Sequence, residues 1–194
     1  SALGFVATIY FARVLGAEVL GFYALTIALV QWLKLGGSLC INGAMTKRIS
    51  EGADRAGFAT AGTVMIGAFG LALSAGVLLA GPYVERYVGQ PVTAFVILLL
   101  LLGLGQSTVN AILHGQRSVH VSGLLSPIKV TIISGTQLLL VLAGMELPGL
   151  LIGHAVGWLS VILLGARYIE IGAGRPTWQH FISLFDYAKY SWFG

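Results

Sequence analysis

The sequence predicts an all-α integral membrane protein, a multi-pass bundle of about six transmembrane helices. Three observations predict it. Hydrophobic residues make up 57% of the 194 residues and charged residues only 9%, whereas a soluble domain carries about a quarter of its residues charged. The mean hydropathy is +0.89. Several stretches reach the ~20 mainly apolar residues that one crossing requires. A helix satisfies its own backbone in lipid, which an open sheet cannot do.

The elements follow in order. The first apolar stretch ends near Arg13-Val14-Leu15-Gly16 and is too short to span. Its upstream part is expected to be missing, because the chain starts at Ser1 without Met. There is no basic region or cleavage site of a signal peptide there. The second helix is expected over 20–45, followed by a polar loop over 46–55. The third covers 58–80 and stops at Gly81-Pro82. A small aromatic and charged loop occupies 83–90. Pro91 suits the first turn of the fourth helix, which runs to about Leu113. A tight turn over 114–120 leads to the fifth, which ends near Ala143 and contains Pro127, a kinking residue. The sixth covers 150–168. A polar link over 170–180 precedes an amphipathic and then apolar stretch over 181–194. The expected division is an amino-terminal transmembrane lobe over 1–180 and the start of a next lobe over 181–194.

Lys and Arg placement sets the orientation. Alternate links fall on alternate sides. One side holds Lys47, Arg48, Arg55, Arg117, Arg167 and Arg175; the other holds Arg13 and Arg86 beside Glu18, Glu85 and Glu146. The positive-inside rule puts the first side in the cytoplasm, with the bundle in the cytoplasmic membrane. Small residues at helix-packing spacing, Gly153 with Gly157, Gly70 with Ser74 and Ala72 with Gly76, are expected to let helices approach closely.

Composition also excludes functions. The net charge of +4 is spread between helices without a basic run or aromatic platform, so nucleic acid is not a partner. Cys40 is the single cysteine, which leaves no intrachain disulfide or cysteine cluster. His114, His120, His154 and His180 lack metal-ligand spacing and read as packed or interfacial side chains. No metal, cofactor or catalytic group is expected.

Two lysines carry the functional signal. Lys34 and Lys129 both lie inside spanning stretches. A charge near a bilayer centre costs at least ~2.5 kcal/mol, so it marks a bundle interior or watery cavity. Two cations without a deep carboxylate point to a cavity built for an anion. Lys34 is accompanied by Gln31, Ser38 and Asn42 at helical spacing, which puts them on one face. The fourth helix carries Gln106, Asn110, His114 and Arg117 likewise. The fifth carries Ser122, Ser126, Lys129 and, further round, Gln137. Some of these residues have a second reading. Gln106 and Asn110 either line the cavity or tie helices together. Lys129 and Arg13 either face the cavity or snorkel to a headgroup. Lys34 is beyond easy snorkelling reach.

The stretch Ala12-Arg13-Val14-Leu15-Gly16-Ala17-Glu18-Val19-Leu20-Gly21-Phe22-Tyr23-Ala24-Leu25 resembles the junction of the first two helices in the Wzx-like oligosaccharide flippases. These belong to the MOP superfamily, with the MurJ lipid II flippases and the MATE exporters. The Lys47-Arg48 link and the lead-in Phe185-Asp186-Tyr187-Ala188-Lys189-Tyr190 are also similar to the family. The resemblance covers nearly the whole chain but only part of the family's length. It implies one lobe of a two-lobe transporter that moves a polyprenyl-linked oligosaccharide between leaflets by alternating access. The family's cationic cavity would fall on Lys34 and Lys129, with Arg13 as a further candidate.

The reading is therefore a transporter of a lipid-linked oligosaccharide for polysaccharide or glycan assembly. Lys34 and Lys129 would offset a phosphate or pyrophosphate, and Gln31, Asn42 and Asn110 would hydrogen-bond sugar hydroxyls. Expected partners are the lipid-linked glycan, membrane lipid, glycan-assembly proteins and the remainder of the transporter. One rival is a cation-coupled multidrug exporter of the same fold, which should place carboxylates in its cavity. The seven acids here fall at or near helix ends and links. The other rival is a membrane-embedded glycan polymerase or ligase, which needs a sizeable outer loop that this stretch lacks.

Overall fold

The computed structural model describes residues 2–38 and 40–193, with side chains at 4, 7–36, 38 and 40–189. The chain is all-helical over these residues. The elements are α1 (Ala2–Val14), α2 (Gly16–Ser38), α3 (Ile41–Glu51), α4 (Arg55–Leu79), α5 (Gly81–Val88), α6 (Thr93–Gly115), α7 (Val119–Leu142), α8 (Leu147–Ala166) and α9 (Trp178–Phe193). Among them, α2, α4, α6, α7 and α8 are long and apolar enough to cross a membrane. This is a multi-pass helical membrane protein. The side chains of Tyr190, Ser191, Trp192 and Phe193, read as the start of a further apolar stretch, lie outside the description.

The second helix is corrected. It starts earlier than expected and does not run through to Met45. α2 ends at Ser38, and α3 begins only after Cys40, which holds φ 60°. Gly36 and Gly37 precede the break, and glycine is among the weakest helix formers. A left-handed backbone at a non-glycine residue then stops helical propagation. The expected loop over 46–55 is also largely helix. α3 is amphipathic, with Ile41, Ala44, Met45 and Ile49 buried at the spacing of one helical face. Its real turn is short. Gly52 (φ 88°) donates its N–H to Ile49 O, and the Asp54 carboxylate accepts from Gly57 N at 3.1 Å, capping α4.

Two more expected loops contain helix. Residues 81–88 form α5, with Pro82 in its first turn and Gly89 (φ 81°) at its end. The last helix starts at Trp178 and not at 181. Leu184 and Ala188 of α9 pack on α3 and α4, in clusters with Ala44, Met45, Ile49 and Ile66. α7 continues through Pro127.

α6 is the central column. Val96, Leu99, Leu100, Leu104 and Leu113 are buried along it, and it packs against α2, α3, α4, α7 and α8. α7 and α8 form the most extensive pair. The reason is Gly153 and Gly157, both buried. A Cβ at Gly153 would meet the Gln137 backbone nitrogen at 2.9 Å, and one at Gly157 would press on Ile133. Gly70 and Ser74 of α4 are buried, with Gly70 set against Leu104. Ala72 and Gly76 depart from the packing expectation: both are exposed, and nothing approaches Gly76. Large apolar side chains such as Trp32, Leu71 and Leu163 face outward, as lipid contact requires.

The links divide between two ends as the charge pattern predicts. At one end Gln116 donates to Tyr168 O at 2.6 Å and accepts from Glu170 N. Gly174 N donates to Thr60 Oγ1, and His180 Nε2 stands 3.0 Å from Asp54 Oδ2. These contacts gather the links that carry Arg48, Arg55, Arg117, Arg167 and Arg175. At the opposite end Gly89 packs against Phe22, and Thr93 Oγ1 donates to Glu85 at 2.9 Å.

Candidate functional site

The polar groups of the spans converge on one face of α6, formed by Gly103, Gln106, Ser107 and Asn110. Their spacing of three, one and three keeps them within one sector of the helix. α2, α3, α7 and α8 all pack against α6. Gly103 and Lys129 each lie about 15 Å along their helix, near its middle, at 1.5 Å per residue. Trp158 is at a similar depth on α8.

Lys34 stands about one turn before the end of α2 at Ser38, and not deep inside a long helix as expected; its side chain nevertheless reaches Gly103 in the middle of α6. Its Nζ stands 5.4 Å from the centroid of the Trp158 ring, within cation–π range and worth ~0.5–2 kcal/mol. Gly103 provides the room. A Cβ there would meet Trp158 at 2.8 Å and Lys34 Cδ at 3.2 Å. Among the described residues no carboxylate pairs with Lys34. Trp158 itself is buried, 2% exposed, so it offers Lys34 a ring and not a surface for sugars.

Lys129 lies across the groove on α7. It lines a cleft of about 50 Å³ with Gln106, Asn110, Ser122, Leu125, Ser126 and Val161. The cleft is polar on both walls and takes its charge from the lysine alone among its lining side chains.

A hydrogen-bond chain sits next to Trp158. Gln137 Nε2 donates to Leu150 O at 2.9 Å and to the Tyr23 hydroxyl at 3.1 Å. Tyr23 Oη and His154 Nδ1 are 2.8 Å apart. The directions follow from the first bond. A carbonyl only accepts, so the amide nitrogen of Gln137 must face it. The Tyr23 oxygen then accepts from Gln137 and gives its own hydrogen to His154 Nδ1. The imidazole stands edge-on to Trp158, with centroids 4.6 Å apart at 87°. The chain thus runs from α7 through α2 to α8 and ends against the ring that holds Lys34.

The structure places the six candidate residues differently. Lys34, Lys129 and Asn110 lie on the groove. Asn42 stands at its edge: its Nδ2 donates to Ser107 Oγ at 3.2 Å, while its buried Oδ1 has no hydrogen-bond partner among the described residues. The break at Cys40 separates Asn42 from the Lys34 helix, so the expected continuous stripe is two stripes brought to the same α6 face. Gln31 is exposed. Arg13 is exposed in the last turn of α1, at the opposite end from the basic links, and is not part of the groove. Tyr23, His154 and Trp158 were missed. Their signal in the sequence was weak, because a Tyr, a His and a Trp in apolar helices most often serve packing.

The fold and this groove define a multi-pass helical membrane protein with a cationic, hydrogen-bonding interior. The chain is similar to two curated proteins of Haloferax volcanii. It is 28% identical to the probable flippase AglR over 192 residues, which is 98% of this chain and 40% of that protein. It is 25% identical to the probable low-salt glycan biosynthesis flippase Agl15 over 193 residues, again 98% of this chain and 40% of the relative. The chain therefore spans about two fifths of the length of these relatives. No family model matches it, and no solved structure matches it.

Proposed function

We propose that this chain forms one lobe of a transporter that carries a lipid-linked oligosaccharide across the cytoplasmic membrane for glycan assembly. The lobe is of the Wzx-like, MOP-superfamily kind. The observation that carries the reading is the pair Lys34, whose side chain reaches Gly103 in the middle of α6, and Lys129 in the middle of α7, with no carboxylate paired with either among the described residues. A carrier lipid presents a phosphate or pyrophosphate at that depth only if cations replace its water. In a low-dielectric interior each such attraction is several-fold stronger than in water. Asn110, Gln106 and the Ser122 and Ser126 hydroxyls offer uncharged hydrogen-bonding groups next to the cations, suited to sugar hydroxyls. The names of the two relatives support the same direction.

The groups in the groove are donors, acceptors and cations, which bind and release without covalent chemistry. The drug-exporter alternative is disfavoured by where the acids stand. Glu18 lies in the first turn of α2, Glu51 closes α3, Asp54 caps α4, Glu146 immediately precedes α8, and Glu85 lies in α5. Glu170 is in a link, and Asp186 pairs with Lys189 on α9 at 2.7 Å. The test is glycan export by the full-length protein in a strain lacking its own copy. Neutralising both lysines together, Lys34→Ala with Lys129→Ala, should abolish export at normal protein level. Export equal to the parent would overturn the reading.

A further inference from the structure

We propose that the contact between Lys34 and Trp158 is a latch between α2 and α8 that an anion in the groove releases. The inference rests on the anion-site reading above and deepens it. It starts from an imbalance at Lys34. An ammonium carries three hydrogen-bond donors, and the face of an indole ring satisfies none of them as an oxygen would. Lys34 Nζ is nevertheless held at 5.4 Å from the Trp158 centroid. A phosphate oxygen forms short charge-assisted hydrogen bonds, about twice as strong as neutral ones. An anion that enters the groove beside Lys34 therefore outcompetes the ring.

The ring cannot follow the ammonium. Trp158 is buried, His154 stands edge-on to it, and His154 is tied through Tyr23 and Gln137 to the Leu150 carbonyl. When Lys34 turns to the anion, the contact between α2 and α8 is lost on the α2 side. That loss falls about two turns before the break between α2 and α3, where Cys40 holds a left-handed backbone. The free energy of anion binding thus acts on the helix pair next to a ready-made interruption. A ligand shifts a conformational equilibrium only through such differential contacts.

Tryptophan fluorescence tests the latch in the full-length protein in detergent. Every tryptophan except Trp158 is replaced by phenylalanine, and farnesyl pyrophosphate is the probe, its binding measured separately by equilibrium dialysis. The expected result is a shift of the Trp158 emission maximum that saturates with binding. Ligand-free Lys34→Met should already emit at the shifted position, because no cation covers the ring. Gly103→Ala, whose Cβ would press on both partners, should displace the ligand-free spectrum in the same way and serves if Lys34→Met does not fold. Inorganic pyrophosphate is run in parallel. A shift with both probes supports the latch with a bare-anion site; a shift with farnesyl pyrophosphate alone supports it with a lipid-dependent site. Binding without a shift overturns the latch, as does a ligand-free Lys34→Met spectrum equal to that of the parent. Absence of binding to the parent removes the anion-site reading itself and the latch with it.

Discussion

The Tyr23 hydroxyl and His154 Nδ1 stand 2.8 Å apart and join α2 to α8 one turn from the Trp158 ring. Gln137 extends this tie to α7, so three spanning helices share one line of hydrogen bonds. Each bond between spanning helices contributes about 1 kcal/mol. Their directions are set by the Leu150 carbonyl, which makes the chain a unit and not three separate bonds.

That unity is measurable. Tyr23→Phe should lower unfolding stability in detergent by ~1 kcal/mol, because it strands His154 and one donor of Gln137. Gln137→Leu should cost a similar amount. The double variant should cost clearly less than the two combined, since each change already breaks the chain. Additive losses would show that the two bonds act independently.

Lys34→Ala should reduce glycan export by roughly 10-fold or more at normal protein level, the scale of one lost charge-assisted hydrogen bond. Lys34→Arg should keep part of the activity, since charge survives while shape changes. Lys129→Ala should give a weaker defect, because Asn110, Ser122 and Ser126 remain in its cleft. Immunoblots of the membrane fraction separate transport from folding. Full export by Lys34→Ala would remove that residue from the site.

Glycine substitutions should divide sharply by position. A Cβ at Gly153 would meet Gln137 N at 2.9 Å and Cα at 3.1 Å, which is backbone and cannot swing away. Gly153→Ala should therefore cost ~1–3 kcal/mol by forcing α7 and α8 apart. Gly67 has nothing within 4 Å, so Gly67→Ala should change stability by no more than about 1 kcal/mol, and in the favourable direction. Thermal unfolding in one detergent compares the two. Equal effects would contradict the close α7–α8 approach.

Orientation is tested by labelling. In a Cys40→Ser background, a cysteine at Gln90 should react in intact cells with an impermeant maleimide. One at Ser50 should react only after permeabilisation, because the basic links share the end that the positive-inside rule assigns to the cytoplasm. The reverse pattern would invert the bundle.

Several features were legible in the chain itself. Length and polarity of the apolar stretches determined the spanning helices, because a bilayer imposes one length and one solvent on all of them. The charge of the links determined which ends go together, and the contacts from Gln116 to Tyr168 and from Gly174 to Thr60 join those links as expected. The cost of an intramembrane charge singled out Lys34 and Lys129. Local breaks were less legible. The hydrophobic run over 20–45 has no proline, and only Gly36 and Gly37 hinted at the end of α2, so the left-handed Cys40 was invisible.

Tertiary packing alone decided how the polar residues meet. A sequence specifies which side of its own helix a residue occupies, but not which neighbour faces that side. Helix pairing is set by where small residues let backbones close in, as Gly153 and Gly157 do for α7 and α8 and Gly103 does for Lys34 and Trp158. That closeness put Tyr23, Gln137 and His154 in one chain from three distant segments. It also left Arg13 exposed in the last turn of α1 and Gln31 exposed on α2. The sequence by itself determined that two cations lie within membrane-spanning stretches; only the fold decided that one of them rests on an indole ring, because that contact joins helices far apart in the chain.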